Sequence, residues 1–71
     1  MDEPMTYRIL ITKTLDVPKN LHQEVFETEE AAVAAARDLL VKLDGDVAVV
    51  MRLIAGNSQV IHRFEQVRAG S

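Results

Sequence analysis

The sequence predicts an α+β fold of ββαββ order, an antiparallel four-stranded sheet with one helix packed on one face. Residues 5–14 alternate apolar and polar. Residues 28–43 gather alanine, valine and leucine at helical spacing, and residues 47–54 lead through a Gly-Asn pair into a second strand-like run.

In the first strand Met5, Tyr7, Ile9 and Ile11 share one side and Thr6, Arg8, Thr12 and Thr14 the other, with Leu10 as the exception. Asp16 to Asn20 ends it, because proline cannot donate to a ladder and Asp and Asn favour turns. Leu21 to Glu27 reads as a second strand whose polar content suits a sheet edge.

Thr28 can cap the helix through its hydroxyl, and Glu29 and Glu30 complement the positive end of the helix dipole. At 100° per residue, Ala32, Val33, Ala35, Ala36, Leu39, Leu40 and Leu43 form one face. Glu30, Arg37, Asp38 and Lys42 lie opposite, Asp38 and Lys42 being an i,i+4 pair. The alanines allow the axis a close approach to the sheet, and Gly45 is placed as the left-handed residue past the helix end.

The third strand, Val47 to Ile54, is apolar on both faces, so a single helix leaves one of them uncovered. A two-residue Gly56-Asn57 turn then joins it to a strand from Gln59 to Val67. That turn sets Leu53 against Val60, Met51 against His62 and Val49 against Phe64 on the core side. Val50, Arg52 and Ile54 fall on the outer side with Ile61 and Arg63. The doubly apolar third strand and the cleanly alternating first strand both suit central places, giving the order 2-1-3-4.

The 71 residues allow one domain, 1–71, with 1–4 and 68–71 frayed. A domain this small hides only about 60% of its unfolded surface, so a partner or dimerisation would add stability. Absent cysteines exclude a disulfide framework, and no apolar stretch approaches the roughly 20 residues of a membrane span. Met1 to Pro4 is too acidic for a signal peptide, and a cytoplasmic protein is expected. Eight basic against eleven acidic residues, a net charge of −3, argue against general affinity for a polyanion.

Catalytic chemistry finds little footing. Ser58 reads as a turn residue, His22 and Glu24 as two surface groups on an edge strand, and His62 as a core-margin histidine bonded to backbone or Tyr7. The glycines Gly45, Gly56 and Gly70 form no phosphate-binding loop. Neither an enzyme, a metal site nor a cofactor is expected. The uncovered sheet face is the candidate site: Arg8, Leu10, Val50, Arg52, Ile54, Ile61 and Arg63, with Phe26 at its edge. Aliphatic anchors mixed with arginine suit protein recognition, either in a homodimer or with a target. The alternative is direct nucleic-acid binding, with Arg8, Arg52, Arg63 and Lys13 on phosphates.

The stretch Val25-Phe26-Glu27-Thr28-Glu29-Glu30-Ala31-Ala32-Val33, continued by Ala35-Ala36, Val47-Ala48-Val49-Val50 and the Gly-Asn turn, resembles short bacterial ββαββ proteins of unknown function. In size, acidity and single-helix layout the chain is also similar to several phage-encoded anti-CRISPR proteins. That resemblance implies an inhibitor that occupies a surface of a nucleic-acid-guided complex, and it assigns no residue.

Overall fold

A computed structural model describes residues 5–14 and 19–66. The ends expected to fray and Asp16 to Pro18 of the first turn lie outside the described residues. The elements are β1 (Thr6–Lys13), β2 (Lys19–Phe26), α1 (Glu29–Lys42), β3 (Val47–Ile54) and β4 (Asn57–Glu65). All strand pairs are antiparallel, in the order β2-β1-β3-β4, and α1 packs on one face, as the sequence predicts.

Thr28 caps α1 by accepting a 3.2 Å hydrogen bond from Ala31 N. At the other end Asp44 N donates to Val41 O and Gly45 N donates to Leu40 O, a Schellman motif. The left-handed residue of that motif is Asp44, φ 56°, and not Gly45. Gly45 serves another need: a Cβ there would sit 2.7 Å from Ile11 Cγ2, so the chain crosses β1 where no side chain fits. Asp46 ties the crossing down, its N–H donating to Thr12 O and its carboxylate accepting from Thr14 N.

The core consists of Ile9 and Ile11 from β1, Ala48 and Val50 from β3, and Ala32, Ala36 and Leu40 from α1. Alanine thus meets alanine between the layers, and the larger side chains fill the flanks. This corrects the expected phase of β3. Val50 is 0% exposed and pairs with Ile9 beneath the helix, while Val49, Met51 and Leu53 alternate to the far side.

The phase is set against β1, whose inward residues Ile9 and Ile11 pair with Val50 and Ala48. The β3–β4 loop has two residues, but they are Ala55 (φ 50°) and Gly56 (φ 81°), with Ile54 opposite Asn57. Positive φ at both central positions marks a type I′ turn, one residue earlier than Gly56-Asn57. Moving a two-residue turn by one position shifts the pairing by two residues, so it leaves the faces of the two strands unchanged.

A bulge then inserts Ile61 between Met51↔Val60 and Val50↔His62, which restores His62 and Phe64 to the helix side. Ile61, expected on the outer face, packs against the core. Edge strand β2 repeats the device, since Leu21 is the extra residue between Ile11↔His22 and Thr12↔Asn20 and also packs inward. Phe26, placed at the rim of the outer face by the sequence, pairs with Tyr7 and packs inward as well.

Four substitutions test these assignments by denaturant or thermal melts. Val50→Asp should cost about 4 kcal/mol or more, because it buries an unpaired carboxylate, whereas Val49→Asp should leave the fold intact. Ala55→Asn should gain about 0.5–1 kcal/mol by relieving a non-glycine left-handed residue. Gly45→Ala should lose about 1–3 kcal/mol through the clash with Ile11.

Candidate interaction surface

The sheet face opposite α1 is built from cross-strand rows that the register fixes. One row runs Val25, Arg8, Met51, Val60; the next runs Gln23, Leu10, Val49, Arg63. Leu53 extends the surface beside Thr6 and Ser58, and Val47 extends it between Thr12 and Glu65. Leu10, Val47, Val49, Met51 and Leu53 are half-buried by their neighbours in the sheet, whereas Val25 and Val60 are 50% and 55% exposed. Together they form an aliphatic field across the sheet, with no helix over it among the described residues.

The charges on this face are few. Arg63 and Glu65 pair at 2.7 Å near the end of β4. Arg8, between Val25 and Met51, has no hydrogen-bond or ion-pair partner among the described residues. The opposite side of the molecule is more acidic, carrying Glu24, Glu29, Glu30 and Asp38 around the helix. Two of these acids hold histidines, His22 to Glu24 and His62 to Glu29, each at 3.0 Å, and Asp38 pairs with Lys42.

Of the residues the sequence assigned to this surface, Arg8, Leu10 and Arg63 lie on it. Val50 does not, being sealed beneath α1. Arg52 and Ile54 alternate with Val50 and so fall on the helix side, in rows beyond the Val50–His62 row that Glu29 reaches; Arg52 Nη2 donates to Gln59 Oε1 there. Ile61 is the bulge residue. In their place stand Val49, Met51, Leu53 and Val60, which sequence reasoning put in the core. One signal could have found them: Ala48 is the smallest residue of β3, and the alanine-rich helix face needs a small partner beneath it.

His62 bonds Glu29 and stacks on Phe64 (centroids 6.0 Å apart), not on Tyr7, whose hydroxyl donates to Met5 Sδ. Ser58 lies within β4 and not in the turn. Among the described residues no group of three His, Asp or Glu converges as a metal site, and no helix is long and apolar enough to cross a membrane. No family model, curated protein sequence or solved structure matches the chain. These comparisons do not bear on the likeness to small ββαββ proteins or to anti-CRISPR proteins.

Proposed function

We infer that the protein works as a binding module that seats another protein on its open sheet face. The observation that supports this most is the aliphatic field of Leu10, Val49, Met51, Leu53 and Val60 around an unpartnered Arg8. Apolar area of this kind gains free energy when covered, and a guanidinium set among aliphatics asks its partner for a carboxylate. A partner surface of aliphatic side chains with one acid opposite Arg8 fits that demand.

A second copy of the chain fits it less well. Two open faces laid together would bury two Arg8 guanidinium groups, with Glu65, already held by Arg63, as the acid of each face. The nucleic-acid alternative loses support from the same register, since Arg52 lies on the opposite side from Arg8 and Arg63 and the three cations do not converge. An inhibitor that blocks a surface of a larger complex would use a face of this composition.

The test is affinity capture with the wild-type chain beside Val49→Asp/Met51→Asp and Arg8→Glu, with circular dichroism to confirm folding and sedimentation to read self-association. Specific partners should be retained by the wild type and lost, by about tenfold or more in affinity, from both folded variants. Folded variants that keep every association of the parent would remove the open face from consideration.

A further inference from the structure

A second surface lies on the other side of the sheet, where α1 fails to cover β4. A cleft of about 430 Å³ opens there, lined by Glu29, Glu30, Val33, Ala34, Arg37 and His62. Its middle is apolar, from Val33 and Ala34, and its two ends are oppositely charged. Glu29 is engaged with His62, but Glu30 has no partner among the described residues. At the other end the Arg37 guanidinium lies 5.8 Å from the Phe64 ring centroid and makes no ion pair among the described residues.

The strand beside this cleft is a terminal strand of the sheet. Among the described residues β4 pairs with β3 on one edge and with no strand on the other. Such an edge offers a row of N–H and C=O groups to any extended chain that comes alongside. A chain added there would place every second side chain on the helix side, next to the cleft.

The dimensions agree. Glu30 and Arg37 are about 10 Å apart along the helix at about 1.5 Å per residue. Residues i and i+4 of an extended peptide span about 13 Å, with residue i+2 midway. The outer two would meet Glu30 and Arg37, and the middle one would meet Val33 and Ala34.

We propose that β4 and α1 together bind an extended peptide by strand addition, the peptide carrying a basic residue, an aliphatic residue and an acidic residue at alternate positions. This site is separate from the open sheet face, so either can fail alone.

The probe is a random nonapeptide library selected against the folded 71-residue chain. Selected peptides should share the basic–x–aliphatic–x–acidic pattern in one direction or the other. Affinity should fall at least about tenfold for Ala34→Arg, which fills the cleft from an exposed helix position. Arg37→Glu should shift selection toward a basic residue at the acidic position. N-methylation of the best peptide should abolish binding at alternate positions, whose N–H groups face β4, and be tolerated between them. Met51→Asp, on the open face, should leave peptide binding unchanged. Absence of binders, binders indifferent to Ala34→Arg, or indifference to N-methylation at every position would overturn the proposal. So would a dimer of the wild-type chain that Ala34→Arg dissolves, because the edge would then belong to a second copy.

Discussion

The close approach of α1 to the sheet through alanine is the constraint on which the rest of the molecule depends. Ala32 and Ala36 come down onto β1 and β3 where Ala48 leaves room, and Ile9, Ile11, Val50 and Leu40 close around them. A bulky residue at position 48 would push the helix outward and open cavities beside Ile11, at a cost set by the lost contacts. The same closeness forbids a side chain at Gly45, where the chain leaves the helix and crosses β1. Only four of the seven buried hydrophobic side chains among the described residues are larger than alanine, so this is a thin core with little stability to spare.

Once Ala48 and Val50 face the helix, the other side of β3 is committed. Val47, Val49, Met51 and Leu53 must stand on the open face, because successive side chains of a strand alternate. Arg8 and Leu10 on β1 arrive beside them by register. The candidate surface is thus a consequence of helix packing, and its residues are those the core rejected.

The two edge strands solve a shared problem in the same way. Each has too few apolar residues to fill the flank of the core, and each inserts one aliphatic residue through a bulge, Leu21 in β2 and Ile61 in β4. In each case the next residue is a histidine bonded to a glutamate, His22 to Glu24 and His62 to Glu29. On the β4 side that glutamate belongs to the helix and helps frame the cleft. On the β2 side it belongs to the same strand.

The sequence by itself determined the element order, the Thr28 cap, the Asp38–Lys42 pair, the inward face of β1 and the strand order, because each follows from local periodicity or from one residue's chemistry. It also determined that one apolar face of β3 would lack a helix. Which face that was, only the tertiary structure decided. Both sides of β3 are apolar, so periodicity carries no sign there, and the choice fell to the pairing of Val50 and Ala48 with the inward residues Ile9 and Ile11 of β1 and to a bulge at Ile61. The turn signal pointed to Gly56-Asn57 because asparagine and glycine tolerate positive φ better than alanine does. The turn forms one residue earlier, at Ala55-Gly56, which shifts the β3–β4 pairing by two residues and leaves the faces as they were; the extra residue Ile61 is what turns His62 and Phe64 to the helix side, a tertiary choice that local turn chemistry does not encode.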